Sequence, residues 1–331
     1  MKNILITGAS GFVGSNLVKT LLKKSLKLHL MIHLGDMKND NLYKIVKNNK
    51  NISVYELDLL EPDTLQSLPT TIDEVVYLAA QTDTSIRDHS VNSLGVKNFL
   101  ANFKPEKHKT KFIYVGTMVN VAGRKSCKYT ANESTEYFPS NEYTRTKVVG
   151  ETYIKDYCHK LEIPLIILTP NTIYGTGMRK GSLFDMLTGF IKRKSFITRL
   201  NWQGKSALIH VDDVVKAITY FLNQKYPLST MEKYFLYSEN KTISELSILL
   251  HKKLNINYKP IILPAFIWKI IKFLRPYLYL SERILPAYLY NYIWRLSIII
   301  DDCVFAESDK LKLVCGRWKP KLIKNHISDV V

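Results

Sequence analysis

Two residues four positions apart, Tyr143 and Lys147, have side chains suited to acid–base chemistry. In a helix, positions i and i+4 share a face, so the lysine ammonium is predicted to lie beside the phenol. A positive charge there stabilises the phenolate and lowers the pKa of the tyrosine. Such a tyrosine can pass a proton to or from an alcohol oxygen, which the upstream hydroxyl of Thr117 would also hold. Because the chain contains 20 tyrosines, this spacing gains meaning only from the elements around it.

The elements that must position this set begin with an amino-terminal strand and the glycine turn after it. Residues 1–7 have the pattern of a short buried strand, and an apolar helix face starts at Leu17. Strand, glycine turn and helix is the order of a dinucleotide site, because glycines permit a tight turn and first-turn N–H groups face the pyrophosphate. The turn residues predicted to bind the cofactor are Gly8, Ser10, Gly11, Phe12, Val13 and Gly14.

Four further strands are predicted at 26–34, 52–57, 74–78 and 111–115, with helical stretches between them, including 91–99. This alternation predicts an α/β Rossmann fold, a doubly wound parallel sheet of about seven strands. Small residues at strand ends let a cofactor lie against the backbone. Asp58 either meets an adenine amino group or caps a helix. The cofactor contacts predicted at these ends are Asp58, Leu59, Ala79, Ala80 and Gln81.

The residues after the second strand bear on the choice between NAD and NADP. A carboxylate at this point would bind the adenosine ribose of NAD. The nearest residues are instead Ile32 and His33, and Asp36 comes only after a glycine. The missing acid and a potentially cationic His33 favour NADP over NAD, unless His33 is simply an exposed strand-end residue.

Composition predicts a soluble cytoplasmic protein. The formal charge is +18, but lysines are scattered and form no block of like charges, so a solvated basic surface or a polyanionic small-molecule ligand is favoured over nucleic acid. No signal peptide is expected because Met1 leads straight into a strand, and no apolar run approaches the roughly 18 residues of a spanning helix. The cysteines Cys127, Cys158, Cys303 and Cys315 lack metal-ligand spacing, so reduced thiols and no metal site are predicted.

Together these pieces resemble an extended short-chain dehydrogenase/reductase of the NAD-dependent epimerase/dehydratase family, nucleotide-sugar type. The resemblance implies that Tyr143 is the general acid/base, that Lys147 is its electrostatic partner and a ribose ligand, and that Thr117 donates to the carbonyl oxygen. It also implies a homodimer formed through 91–99 and 143–157. The segments that carry it are 7–14, Asp58, 78–82, Asn92, Thr117, Tyr143 with Lys147, 169–175 (with Pro170 in the cofactor site), 210–213 and 316–320.

The sequence departs from the family pattern at several points. Gly116 and Thr117 replace the usual pair of serines, and residues 120–122 replace a Val-Tyr-Gly that supplies a sugar contact. Thr169 stands where an arginine is frequent. The missing acid after the second strand counts against an epimerase that keeps NAD bound.

Residues 1–170, with about 206–225, are predicted to form the NAD(P)-binding domain, and 171–205 with 226–331 the substrate lobe. Tyr174 is also expected to reach the cleft, and Asn92 either is structural or positions a water. His210 with Asp212 and Asp213 is expected to start a helix rather than to act in catalysis. The residues predicted to bind substrate are Thr82, Thr117, Met118, Tyr143, Thr172 and Lys205. Further candidates for a substrate diphosphate, each otherwise a solvated charge, are Arg179, Lys180 and the basic run 192–194.

Residues 261–300 are rich in Ile, Leu, Tyr and Trp with interleaved basic residues, and Pro276 and Pro286 are expected to cut the segment. An apolar stripe at helical spacing runs through Phe266, Ile270, Phe273 and Tyr277. The segment is interpreted as a helical lid or oligomer face. A basic amphipathic surface that contacts a membrane peripherally is the alternative.

The function predicted from the whole chain is an NAD(P)-dependent oxidoreductase or epimerase that acts on a nucleotide-sugar. Hydride transfer would occur at a sugar carbinol or ketone, at C4, with Tyr143 as acid/base, and the missing acid favours a 4-ketoreductase. One alternative is a 3β-hydroxysteroid- or dihydroflavonol-type reductase. Another is a non-catalytic dinucleotide-binding sensor, against which the intact set of Thr117, Tyr143 and Lys147 argues.

Overall fold

The computed structural model describes residues 1–36, 46, 49–105, 110–122, 130–300, 306, 308–316 and 318–331. The predictions made for Cys127 and Cys303, and for Arg317 within 316–320, lie outside these ranges. Of the described cysteines, Cys158 is a buried free thiol and Cys315 a half-buried one.

Ten strands form two sheets in the described part of the chain. Seven of them make one sheet in the order β3-β2-β1-β4-β5-β6-β9, in which every neighbouring pair is parallel. The other three make a small sheet in the order β10-β8-β7. The strands are β1 Lys2–Thr7, β2 Leu26–Ile32, β3 Ile52–Glu56, β4 Glu74–Tyr77, β5 Lys111–Val115, β6 Leu165–Pro170, β7 Thr172–Tyr174, β8 Lys205–His210, β9 Met231–Leu236 and β10 Glu239–Thr242.

Helices flank both sheets, and short 3₁₀ turns occur at 62–67, 90–92, 118–121, 196–199, 281–283 and 327–330. The α-helices of the described residues are α1 Phe12–Leu21, α2 Leu94–Asn102, α3 Glu142–Lys160, α4 Leu183–Lys192, α5 Val211–Leu222, α6 Ile243–Lys253, α7 Ala265–Leu280, α8 Ala287–Ile299, α9 Lys310–Cys315 and α10 Ile323–His326.

The large sheet is apolar on both faces, as its uninterrupted apolar strands predict. On one face, Ile4 and Ile6 of β1 join a buried cluster that includes α1 and α5. On the other face, Leu5 joins a cluster that includes α2 and α3. Alternate residues of one strand therefore fix a helical layer on each side of the sheet. This arrangement is the predicted doubly wound fold.

Three features differ from the sequence-based expectations. Strand β9, inside the range predicted for the substrate lobe, pairs with β6 at the edge of the large sheet, so the proposed lobe surrounds a piece of that sheet. The sequence of residues 182–197 predicts one helix, but α4 ends at Lys192, because Lys194 adopts a left-handed φ of 55°. Helix α7 continues through Pro276, and the break falls at 281–286 instead.

Candidate active site

The glycine turn brings β1, β4 and α1 into close contact. Gly8 has a φ of +64°, and a Cβ on Gly14 would lie 2.2 Å from the Gly8 carbonyl oxygen, so only glycine lets α1 approach the turn here. Thr7 Oγ1 accepts hydrogen bonds of 3.1 Å from the N–H groups of Leu78 and Ala79. The carboxyl ends of β1 and β4 are thereby held together below the start of α1.

A cavity of about 370 Å³ lies on one side of this turn. Most of the residues predicted to hold the adenosine half of a cofactor meet there. Asp58 lines this cavity and also caps the following turn, since its Oδ1 accepts from the N–H of Leu60 at 2.8 Å. The predicted residues in the wall are Gly8, Ser10, Gly11, His33, Asp58, Leu59, Ala79, Ala80 and Gln81.

The same cavity contains the carboxylate of Asp36, which the sequence argument discounted because it follows a glycine. After β2 the chain folds back in a tight turn, in which Gly35 has a φ of +84° and the N–H of Asp36 donates to the His33 carbonyl at 3.1 Å. This turn brings Asp36 over the glycine turn, where its Oδ2 accepts from Ser10 Oγ at 2.5 Å. The inference of a missing acid was therefore wrong. His33 instead lies near Asp58, with 3.6 Å between His33 Nε2 and Asp58 Oδ2.

A second cavity, of about 310 Å³, continues from the first and shares Gly8, Gly11, Leu78 and Ala80 with it. Asn171 is a wall residue that the prediction omitted, and its Nδ2 is buried without a hydrogen-bond partner. The two cavities form a groove along the strand ends that fits a dinucleotide. The predicted residues that line this second part are Phe12, Val13, Gly14, Thr82, Thr117, Tyr143, Lys147 and Pro170.

Tyr143 stands in the first turn of α3, whose start is held by a capping box between Asn141 and Thr144. Burial raises the pKa of the Tyr143 phenol, while its hydrogen bond with Thr117 and the positive charge of Arg179 lower it. The predicted pairing of Tyr143 with Thr117 is present. The predicted lowering of the Tyr143 pKa by Lys147 is wrong, because burial is the largest influence and raises this pKa. The positive charge that opposes the rise belongs to Arg179.

Lys147 contacts strand β5. Its Nζ donates to the Val115 carbonyl at 3.2 Å and lies 4.7 Å from the centre of the Tyr114 ring. Burial lowers the pKa of this ammonium to about 8, and the negative charge of Glu151 opposes that shift. The lysine thus lines the groove as a cation that is readily deprotonated.

His89 packs against Tyr143 and Asn92 holds the neighbouring loop, and sequence reasoning missed the contact made by His89. The imidazole of His89 is buried and packs edge-on against the Tyr143 ring, with 5.6 Å between ring centres. Asn92 bonds both backbone groups of Gln81 at 2.9 Å, which gives it a structural role. Gln81 in turn presents its carbonyl to His89 Nδ1 at 3.2 Å.

A third cavity, of about 520 Å³, opens beyond Tyr143 and Thr117. Its walls are mainly apolar, and two arginines enter it. Arg179 donates to the Thr82 carbonyl at 2.8 Å, and Arg295, on α8, donates to the Gly181 carbonyl at 2.7 Å. Burial and the charge of Arg179 lower the pKa of Arg295. The cavity therefore combines positive charge with apolar surface next to the phenol.

The predicted substrate residues separate into two groups. Thr82, Thr117, Tyr143 and Thr172 line the third cavity. Met118 does not, because the 3₁₀ turn at 118–121 directs it into a buried cluster and presents Val119 instead.

Two further candidates also lie outside the described walls of this cavity. Lys205 begins β8 and pairs with Thr242. Tyr174 is buried beneath the lobe and donates to the Lys321 carbonyl at 3.1 Å.

Comparison with known proteins identifies the family of this chain. Residues 4–234 match the profile of the NAD dependent epimerase/dehydratase family. The chain belongs to that family of enzymes, as the sequence motifs indicated.

Two curated relatives illustrate the range of the family. The dTDP-D-glucose 4,6-dehydratase of Dictyostelium discoideum is 28% identical over 245 residues, which cover 68% of this chain and 56% of that protein. An uncharacterized UDP-glucose epimerase of Bacillus subtilis is 27% identical over 237 residues, 67% of this chain and 73% of that one. The chain thus matches little more than half of the Dictyostelium protein.

Solved structures resemble the chain over nearly its whole length. The UDP-glucuronic acid 4-epimerase of Bacillus cereus in complex with UDP-glucuronic acid and NAD has a TM-score of 0.71 at 20% identity, covering 99% of this chain and 97% of that one. The protein gox2253 has a TM-score of 0.75 at 21% identity, covering 100% and 97%. At these identities the likeness confirms the fold.

Proposed function

We propose that this chain is an NAD-dependent enzyme that oxidises and re-reduces one carbinol carbon of a nucleotide-sugar, with Tyr143 as the acid/base. One observation carries the proposal: Tyr143 and Thr117 stand where a dinucleotide groove opens into a cationic, apolar-walled cavity. The relatives described as nucleotide-sugar enzymes support the substrate class.

The third cavity suits a nucleoside diphosphate sugar. Arg179 and Arg295 supply the positive charge that a diphosphate needs, and guanidinium groups bind phosphate oxygens in a forked geometry. Leu187, Phe190 and Trp202 offer apolar surface for a base. The two arginines favour an anionic substrate over the steroid considered from the sequence, because a steroid offers no phosphate oxygens to their guanidinium groups.

In the proposed reaction each residue of the site has a separate role. When bound, the nicotinamide would supply and accept the hydride. Tyr143 donates a proton to the sugar oxygen during reduction and takes it back during oxidation, and Thr117 holds that oxygen. Arg179 stabilises the phenolate, and His89 fixes the ring by packing against its edge. Lys147 lines the groove where it can donate to a ribose hydroxyl.

Epimerisation fits this cavity better than dehydration. Elimination of water from a sugar needs a second acid–base pair next to the tyrosine. The described residues that line the third cavity include no carboxylate and no histidine, and Val119 stands beside Thr117. We therefore propose chemistry at one carbon, at C4, and keep the 4-ketoreductase predicted from the sequence as the competing outcome.

We propose NAD rather than NADP as the cofactor because of Asp36. Its carboxylate lies in the adenosine cavity beside Ser10. A carboxylate there accepts from a ribose 2′-hydroxyl and repels a 2′-phosphate. Asp36→Ser should weaken NAD binding about tenfold and improve NADP binding, whereas Asp63→Ser, an exposed acid in the 62–67 turn, should change neither. An unchanged preference would exclude this role.

The decisive experiment begins with the nucleotide released by denaturing the purified protein. Stoichiometric NAD, together with interconversion of UDP- or dTDP-sugars that differ at one carbinol, supports the epimerase. Net consumption of NADH or NADPH with a 4-keto sugar supports the reductase instead. Tyr143→Phe should lower kcat by at least about a hundredfold with cofactor binding retained. Tyr153→Phe, on the same helix, is the matched control. Full turnover by Tyr143→Phe would contradict the proposal.

We also propose the homodimer that the family resemblance implied, formed through α2 and α3. Leu94 on α2 and Val149 on α3 are exposed apolar side chains on these helices. Light scattering should give a dimer mass that Val149→Glu reduces to a monomer mass. A wild-type monomer would contradict this arrangement.

A further inference from the structure

The exposed apolar surface of this protein is concentrated in one short segment. Of the 25 large apolar side chains that are exposed in the described residues, 11 lie between 262 and 292. In α7, Phe266 is 61% exposed, Ile270 53%, Phe273 71% and Tyr277 60%. The other exposed members are Ile262, Leu274, Leu280, Ile284, Tyr288, Leu289 and Tyr292. We call this set the outer face of the α7–α8 hairpin.

The inner face of the hairpin is firmly attached to the rest of the protein. Trp268 is buried against Trp202, with ring centres 5.1 Å apart. On α8, Tyr290 donates to the Ser140 carbonyl at 3.1 Å, and Trp294 donates to Ser140 Oγ at 3.0 Å. Because the inner face is already packed, the outer face cannot turn inward to bury its apolar residues.

The charges around the outer face are basic. At 100° per residue the four α7 residues from Phe266 to Tyr277 fall within an arc of about 60°. Lys269 lies about 40° outside this arc, and Lys272 about 100° outside it. Lys269, Lys272 and Arg283 are all exposed. The one acid in 261–300, Glu282, accepts from Arg145 at 2.7 Å and from the N–H of Glu142 at 2.9 Å, so it is neutralised on the protein side.

We propose that the outer face of the α7–α8 hairpin binds an anionic lipid surface. The hairpin lies in the plane of the headgroups, its Phe, Ile and Leu side chains enter the acyl boundary, and Lys269 and Arg283 meet lipid phosphates. Tyr277 and Tyr288 suit the interface because a tyrosine has an apolar ring and a polar tip. The formal charge of +18 draws the whole molecule to such a surface.

A second copy of the chain is a poorer occupant of this face. In a two-fold symmetric dimer the same patch meets itself. That interface would bring together the basic residues of both copies, with Glu282 already paired to Arg145. An anionic bilayer neutralises these charges, whereas a second copy doubles them.

The test is co-sedimentation of the full-length protein with vesicles of phosphatidylcholine alone or mixed with phosphatidylglycerol. We expect binding to the anionic vesicles, at least tenfold weaker binding to the neutral ones, and weakening by salt. Phe266→Ser with Phe273→Ser should reduce binding at least tenfold. The matched control is Ile248→Ser with Leu313→Ser, which removes two exposed apolar side chains elsewhere.

A second pair of variants separates the charges of the hairpin from the charge of the whole protein. Lys269→Glu with Arg283→Glu should weaken binding at least tenfold, whereas Lys23→Glu with Lys24→Glu, an equal charge change after α1, should weaken it far less. Unchanged melting temperature and NAD affinity show that each variant is folded. Equal binding by all variants, or no binding to anionic vesicles, overturns the proposal. A dimer that Phe266→Ser with Phe273→Ser splits, without any vesicle binding, assigns the face to a second copy.

Discussion

At the scale of single residues, keeping Lys147 charged in the groove lowers the stability of the folded protein. The ammonium is buried and its pKa falls from 10.5 to about 8. Below pH 8 the folded protein must hold a proton on a buried group, which costs up to about 3 kcal/mol. From pH 8 to 10.5 the unfolded chain keeps that proton and the folded chain has lost it, so this cost disappears as the pH rises.

Lys147→Met should therefore stabilise the protein while abolishing turnover. We expect a gain of roughly 1–3 kcal/mol at pH 7, reduced by the lost hydrogen bond to Val115. The gain should shrink towards zero near pH 10.5. Denaturant unfolding at the two pH values measures both effects. A variant that is less stable than wild type at pH 7 would contradict the assigned cost.

Glu151 also shifts the pKa of Lys147. Its carboxylate is buried, accepts from Tyr137 and Lys155, and raises the pKa of Lys147. In Glu151→Gln the pKa of Lys147 should fall below about 8. The alkaline limb of the kcat/KM profile would then move to lower pH. Asp156→Asn, an exposed acid on the same helix, should leave the profile in place, and an unmoved limb in Glu151→Gln would exclude this coupling.

At the scale of elements, the contact of α1 with the glycine turn is the least tolerant point of the cofactor groove. A Cβ at Gly14 would lie 2.2 Å from a backbone oxygen, which cannot move aside. Gly14→Ala should cost more than about 3 kcal/mol or prevent folding. Gly189→Ala, in the interior of α4, meets only the tip of Arg193 and should be neutral or stabilising by about 0.5–1 kcal/mol. Urea unfolding compares the two, and equal stabilities would refute the explanation.

Elements whose identity depends on local pattern were predictable from the sequence. Strand β5 and the helix that carries Tyr143 and Lys147 follow from apolar runs and from i, i+4 spacing. Asp36 was discounted because it lies beyond the end of the strand, but a tight turn with Gly35 in a left-handed conformation folds it back over the groove. Arg295 was seen only as one of several basic residues, since its entry into the third cavity depends on how α8 packs. Such long-range contacts leave no periodic signal.

At the scale of the whole molecule, the large sheet depends on segments far apart in the chain. Strand β9 forms its edge, and Val214, Ile218 and Phe221 of α5 complete the core on the α1 face. A fragment of residues 1–170 lacks all of these and exposes the apolar face that they cover. We expect it to show no cooperative thermal transition and to bind a hydrophobic dye, in contrast to the full chain. Cooperative melting of the fragment would contradict this dependence.

The path of the chain between the two sheets has a consequence for engineering. The chain leaves the large sheet after β6, forms β7 and β8, returns through α5 and β9, and then leaves again for β10 and the hairpin. The walls of the third cavity therefore come from separate stretches that alternate with pieces of the cofactor fold. Substrate preference cannot be exchanged with a relative by swapping one carboxyl-terminal block. A functional chimera must transplant residues 171–205 and the segment after β9 together, while keeping α5 and β9 from the recipient.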